Sequence, residues 1–303
     1  MPIDWRPPCL TAIWVLTFGY ILLTSIKAPN IQRPYLKRTS CPPTSSPGPD
    51  VVVFIPSAIP RHARRRLLFR QMLPELAGAH LFFVFGLDAP SDLLVAAHIE
   101  ARQVGPQHYR FVDCRDSEDD PANGTAACKV YQALRHIAAA YADAPPRFVW
   151  RSADDTYLDL AVFRRIVAPG LQTCRMLLGR LRFPWPNNDA DLYLHPRYPD
   201  LYGLLGLLKF GKHMQPMAYC MTWDVAAFIG AAPIPPRQIW CEDVIVSHWL
   251  LFYDVDLADM GEAAPGVRMI RADQEPIHAG APLLIAHGMR PRHWVGLHST
   301  AES

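Results

Sequence analysis

Two pairs of adjacent acids stand beside apolar runs in this chain. Asp154 and Asp155 follow Phe148-Val149-Trp150 in FVWRSADDTYLDL, and Glu242 and Asp243 precede Val244-Ile245-Val246 in PRQIWCEDVIVSHWL. Carboxylates at the exit of a buried strand have two uses. They can cap the helix that follows, here 156–167, and meet its dipole. They can also hold a hard divalent cation, Mg²⁺ or Mn²⁺, that bridges the phosphates of a nucleotide. One acid can cap while the other ligates. The second pair has the same capping option, and its other use is as a general base that takes the proton of an attacking hydroxyl.

Two further groups could join such a site. His287 follows Leu283-Leu284-Ile285-Ala286 at the exit of a last buried strand. It is either a satisfied structural histidine or an imidazole ligand of a Mn²⁺-type ion, with His278 as the competing candidate. Arg61, Arg65 and Arg66 lie in SAIPRHARRRLLFR, just after the first strand. They read as a solvated face or as guanidinium groups shaped for a diphosphate.

The elements that must position these groups alternate. VVVFIPS (51–57), HLFFVFG (80–86), YRFVDC (109–114) and RFVW (147–150) are strand-like, apolar and rich in β-branched or aromatic residues. Between them, 63–73 has helical periodicity with Leu67, Leu68 and Leu73 inward. Residues 91–104 begin at Ser91, a cap candidate, and 127–142 form the clearest amphipathic helix. Such alternation predicts a mainly parallel α/β sheet covered by helices, with ligands bound beyond the carboxyl ends of the strands. Asp154 and Asp155 fall at one of those ends.

The chain has 303 residues, half of them hydrophobic, and a net charge of +2, which gives no general pull towards nucleic acid. Residues 9–26 carry no charge and are just long enough to span a bilayer, so an uncleaved anchor is expected there in preference to a signal peptide, after a short tail at 1–8. Residues 27–49 are rich in Pro, Ser and Thr and read as a stem, which leaves 50–303 as the folded domain. The orientation signals conflict. Lys27, Arg33, Lys37 and Arg38 favour a cytosolic flank. The sequon at Asn123 and the six cysteines 41, 114, 128, 174, 220 and 241 favour an oxidising lumen.

In their order along the chain these features resemble the β-1,3-glycosyltransferase family that includes galactosyltransferases and Fringe, over roughly residues 51–295. They also resemble the protozoan phosphoglycan β-1,3-galactosyltransferases. The resemblance rests on the Arg-bearing first helix, the Gly-ended FVFG strand, the acidic loop leading to Lys129, the strand with Asp-Asp, MAYCMTWDVA, CEDV and the terminal strand with His. It implies a GT-A-like nucleotide-diphospho-sugar transferase fold behind one transmembrane helix, in a single-pass type II Golgi membrane protein with a lumenal domain. It further implies a UDP-sugar donor, Mn²⁺, a glycan, glycoprotein or phosphoglycan acceptor, inversion at the anomeric carbon and a possible homo- or hetero-oligomer.

By that resemblance Asp155 and His287 hold the metal and Asp154 lies near the donor's ribose or sugar. Asp243 is the base with Glu242 its neighbour, and Arg61, Arg65, Arg66 and Lys129 line the donor side. Two departures stand out. Ala153 replaces the first acid of the family's Asp-Asp-Asp, and Met217-Ala218-Tyr219-Cys220 replaces a Gly-Gly segment on the acceptor side. An enzyme, a catalytically impaired pseudo-transferase that binds or chaperones a partner, and a metal hydrolase remain three distinct readings of the same residues.

Overall fold

Five consecutive apolar residues, Val51 to Ile55, are buried on both faces, and this run forms the spine of the molecule. The computed structural model describes residues 48–61, 65, 68, 78–116, 125–171, 174–182, 213–232, 242, 246, 250, 255–272, 274, 281–290 and 293. All of them belong to one unit, Ser40–Ser303. The expected anchor (9–26), most of the stem, Asn123, Arg66, Asp243 and His278 lie outside the described residues.

The main sheet has seven strands: β1 (Val51–Pro56), β2 (Ala79–Asp88), β3 (Tyr109–Arg115), β4 (Phe148–Ser152), β6 (Met176–Arg182), β7 (His213–Thr222) and β8 (Asp256–Asp259). Their order is β3-β2-β1-β4-β7-β6-β8. All run parallel except β7, which is antiparallel to both of its neighbours, β4 and β6. The fold is therefore α/β with a mostly parallel central sheet. From β1 the chain builds outward through β2 to β3, then returns to lay β4 on the opposite side of β1. That reversal is a topological switch point, and it opens a crevice at the carboxyl ends of β1 and β4.

A second sheet holds β5 (Tyr157–Leu158), β10 (Leu283–His287) and β9 (Arg268–Arg271), in the order β5-β10-β9. The terminal strand expected from LLIA is present and buried, but it belongs to this smaller sheet.

Helices cover the sheet as the apolar spacing requires. Helix α1 is Ser91–Val104, α2 is Thr125–Ala140 and α3 is Trp223–Ala231. On α2 the buried residues Ala127, Val130, Tyr131, Leu134 and Ile137 recur at helical spacing. Helix α3 packs so closely on α2 that a Cβ on Gly230 would lie 2.4 Å from the carbonyl oxygen of Leu134. Ser91 is the first residue of α1 rather than its cap. Pro90 precedes it, and no side chain caps that end. Arg65 and Leu68 are helical, and Leu68 is buried.

The helix expected over 156–167 starts later. Tyr157 and Leu158 pair with β10, and Asp159 caps the helical stretch from Leu160 by accepting the Val162 N–H at 2.7 Å. Asp154 and Asp155 instead occupy a turn in which the Thr156 N–H bonds to the Ala153 carbonyl at 3.2 Å. Neither acid is a helix cap.

Away from the crevice, His136 of α2 accepts a hydrogen bond from Arg110 Nε of β3 at 2.9 Å. Burial, and then the Arg110 charge, push the imidazole below its ordinary 6.5. In the window beneath 6.5 the unfolded chain therefore binds more protons than the folded one. The contribution is whole above 6.5 and is lost as the pH falls through that window. His136→Gln is expected to flatten the acid limb of stability, as read by thermal melts across about pH 5 to 8. An unchanged limb would place the dependence on other groups.

Candidate functional site

Three side-chain clusters meet at the carboxyl ends of β1 and β4. The first spans the switch point itself. Ser57, just past β1, donates its hydroxyl to Asp154 Oδ2 at 2.8 Å, and Arg61 Nη1 reaches Asp154 Oδ1 at 3.2 Å. Asp154 is 2 % exposed. Its carboxylate is thus turned inward, where it fixes Arg61, whose side chain remains 32 % exposed. Among the described donor-side candidates Arg61, Arg65 and Lys129, Arg61 is the one that is not buried.

Arg65 does something else. Its Nη1 and Nη2 donate to the Ala58 and Ile59 carbonyls at 2.6 and 2.9 Å, and its Nε and Nη2 bind the Glu100 carboxylate at 3.3 and 2.9 Å. The guanidinium is also 4.6 Å from the centroid of the Phe85 ring. It is 1 % exposed. This arginine, expected at the donor, ties the segment after β1 to α1.

Lys129 of α2 is likewise internal. Its ammonium donates to the Ser57 carbonyl at 2.8 Å and pairs with Asp116 at 2.5 Å. Burial lowers its pKa, and the charge of Asp116 opposes that shift. Asp116 also accepts the backbone N–H groups of Ile59 (2.8 Å) and Gly86 (3.0 Å). One carboxylate thereby joins the ends of β1, β2 and β3 to α2. A disulfide between Cys114 and Cys128 closes the same loop, at a sequence separation of 14. Closing a loop of roughly 15 residues contributes about 3 kcal/mol. Cys174 is also disulfide-bonded, whereas Cys220 is a buried free thiol. The six cysteines therefore do not form three bridges.

Gly86, the last residue of FVFG, is small because β2 and the end of β3 touch there. A Cβ would sit 2.3 Å from the Cys114 carbonyl oxygen and 2.5 Å from the Arg115 carbonyl carbon. Neither is a side chain that can swing away. Gly86→Ala is expected to cost about 3 kcal/mol, the upper end of ordinary overpacking. Chemical denaturation would read it, and a loss near zero would show that the strand ends can part freely.

The second cluster joins the two sheets. Pairing of Ala286 with Tyr157 brings His287 beside the Asp-Asp turn. His287 Nδ1 lies 3.2 Å from Asp155 Oδ1 and 3.0 Å from Thr156 Oγ1, and the Met289 N–H holds the Asp155 carbonyl at 2.9 Å. Asp155 and His287 are 25 % and 27 % exposed. A carboxylate and an imidazole this close, both facing solvent, form a donor set that suits Mn²⁺. Among the described residues no three or more His, Cys, Asp or Glu side chains are placed to hold a metal ion together. A metal on this pair would therefore take its other ligands from residues beyond that set, from water or from substrate oxygens.

The third cluster is buried between β4 and β7. Arg151 Nη2 donates to Glu242 Oε2 at 2.6 Å, and the Tyr219 hydroxyl donates to Glu242 Oε1 at 3.0 Å. Glu242 is 5 % exposed. The MAYC segment, expected on the acceptor side, is part of β7, and Met217 to Cys220 are all buried.

Ser57, Asp116 and Arg151 carry no role in the sequence reading, and Tyr219 enters it only as part of the MAYC departure. Arg151 left a readable trace, a charge between Trp150 and Ser152 in a strand that is otherwise buried. Asp116 left none, being one of five acids between Asp113 and Asp120.

No protein-family model matches the chain, and no curated protein does. Among solved structures it is similar to a mannosyltransferase from Pyrobaculum calidifontis in complex with GDP-Man and Mn²⁺, at 13 % identity over 95 % of this chain and 70 % of that one, with a TM-score of 0.41. It is also similar to the galactosyltransferase LgtC in complex with donor and acceptor sugar analogs, at 10 % identity over 82 % and 95 %, TM-score 0.44. A third is glucosyl-3-phosphoglycerate synthase from Mycobacterium tuberculosis, at 15 % identity over 84 % and 77 %, TM-score 0.37.

Proposed function

We propose that this chain is a metal-dependent, inverting glycosyltransferase of the GT-A kind. It moves a hexose, with UDP-galactose the first donor to test, onto a glycan hydroxyl in β-1,3 linkage. The observation that carries the reading is the Asp154–Asp155 turn at the switch point, with one acid locked inward on Ser57 and Arg61 and the other facing His287. Ligand sites of open α/β sheets form at such a crevice. There Asp155 and His287 would hold Mn²⁺, which as a Lewis acid stabilises charge on a leaving diphosphate. Arg61 contributes a guanidinium for the same diphosphate. Asp243 takes the acceptor hydroxyl's proton as that oxygen bonds to the anomeric carbon and the bond to the UDP oxygen breaks. Arg65 and Lys129 build the crevice wall and do not contact the donor. The uncharged run at 9–26 supports a membrane anchor, and the Cys114–Cys128 disulfide supports a lumenal domain on a type II Golgi anchor, against the flanking charge of Lys27, Arg33, Lys37 and Arg38.

A second reading rests on Ala153. Its N–H holds the Met217 carbonyl at 3.0 Å, and it supplies no carboxylate where the family has its first acid. A pseudo-transferase would bind UDP and transfer nothing. To test the main reading, the solubilised full chain would be incubated with Mn²⁺, labelled UDP-sugars and a panel of glycan acceptors, and the product linkage read by NMR. A β-linked product supports the assignment. Sugar release that is independent of every acceptor would instead mark a hydrolase.

A further inference from the structure

We propose that Arg151, Tyr219 and Glu242 form a buried clamp that positions the segment carrying Asp243, and that Glu242 itself does not touch substrate. The inference rests on the transferase reading and adds a division of labour within its acidic pair. Arg151 and Tyr219 are register partners across β4 and β7, so they stand side by side on one face of the sheet. The Arg151 guanidinium lies 5.8 Å from the centre of the Tyr219 ring.

Together they take both oxygens of Glu242, one at 2.6 Å and one at 3.0 Å. All three side chains are buried. A general base must offer its oxygen to the substrate proton within hydrogen-bond reach. In Glu242 each oxygen already holds a protein donor and solvent is excluded. Glu242 and Val246 are each buried, so the chain is held against the protein at both of these described positions. Asp243 is the next residue in the chain. A site held to a rigid sheet by a charge-assisted hydrogen bond keeps its geometry far better than one on an untethered loop.

Two substitutions separate positioning from chemistry. Glu242→Gln keeps the shape and can bond to both Arg151 and Tyr219, but it cannot act as a base. Glu242→Ala removes the clamp. For the full chain, Glu242→Ala is expected to lower kcat by about a hundredfold, the scale of a small misplacement, while the donor KM stays nearly constant. Glu242→Gln should retain kcat within about tenfold and keep the acid limb of the kcat/KM profile. Equal losses in both variants, with the acid limb abolished in Glu242→Gln, would make Glu242 the base and overturn the clamp.

A second readout does not depend on turnover. Hydrogen exchange of the peptide 242–250 should accelerate in Glu242→Ala and in Arg151→Met, with UDP affinity kept. Unchanged exchange in both would overturn the clamp whatever the assay shows. A wild-type chain that neither binds UDP nor transfers sugar would remove the transferase reading, and the exchange result would still decide whether the clamp exists.

Discussion

Asp155→Ala is expected to abolish Mn²⁺-dependent sugar transfer, by roughly a thousandfold, in a protein that stays folded. The magnitude follows from the several kcal/mol that a Lewis acid contributes to a leaving group, at about 1.4 kcal/mol per tenfold in rate. The fold should survive because Asp155 sits in a turn, partly exposed, and its backbone carbonyl keeps the Met289 bond. Initial rates with labelled UDP-galactose across a Mn²⁺ titration would check it, alongside circular dichroism. Activity within tenfold of wild type at every metal concentration would contradict the placement of the metal at Asp155 and His287.

Asp116→Ala should act in the opposite manner, on stability first. The Asp116–Lys129 pair is almost fully buried, and the same carboxylate holds two backbone N–H groups. Removing one partner of a buried pair leaves an uncompensated charge and costs about 3–5 kcal/mol. For a domain of this size that is a fall in Tm of roughly 10 °C. Calorimetric melts of Asp116→Ala and of Asp116→Ala/Lys129→Met would separate the charge from the lost contacts. The double variant should recover part of the loss, because no buried ammonium is left without its partner. No recovery would assign the loss to the Ile59 and Gly86 bonds.

Much of the fold was legible because burial leaves a trace in composition. The runs VVVFI and LFFVF are buried strands and YRFV is a partly buried edge strand, and their alternation with 91–104 and 127–142 required parallel crossovers. Helix α1 spans the residues its periodicity indicated, and α2 begins two residues early. The β7 strand was not assigned. It holds Pro216 and reads HMQPMAYCMT, and its buried antiparallel place between β4 and β6 depends on neighbours far away in sequence. The stretch after Asp155 misled for a related reason. TYLDLAVF has apolar residues at helical spacing, but Tyr157 and Leu158 are claimed by β10, so Asp159 starts the helix instead.

At the site, residue types in the sequence indicate which side chains could act, and the structure supplies the partners of those that are described. Asp155 and His287 are 132 residues apart in the chain, yet a two-residue strand pairing brings them together. Arg65 is a donor candidate because a guanidinium after a strand is suited to a diphosphate, and Lys129 is one only through the family resemblance. The geometry instead gives Arg65 to two carbonyls and Glu100, and Lys129 to Asp116 and Ser57. Sequence cannot reveal that choice, since it depends on which acids are buried nearby.

The most direct test of the central claim is calorimetric titration of the solubilised full chain with UDP, in the presence and absence of Mn²⁺. The account predicts binding that requires the metal and disappears in Asp155→Ala. Equal UDP binding with and without Mn²⁺, or none by the folded protein, would contradict a metal-bridged diphosphate site at the β1–β4 crevice.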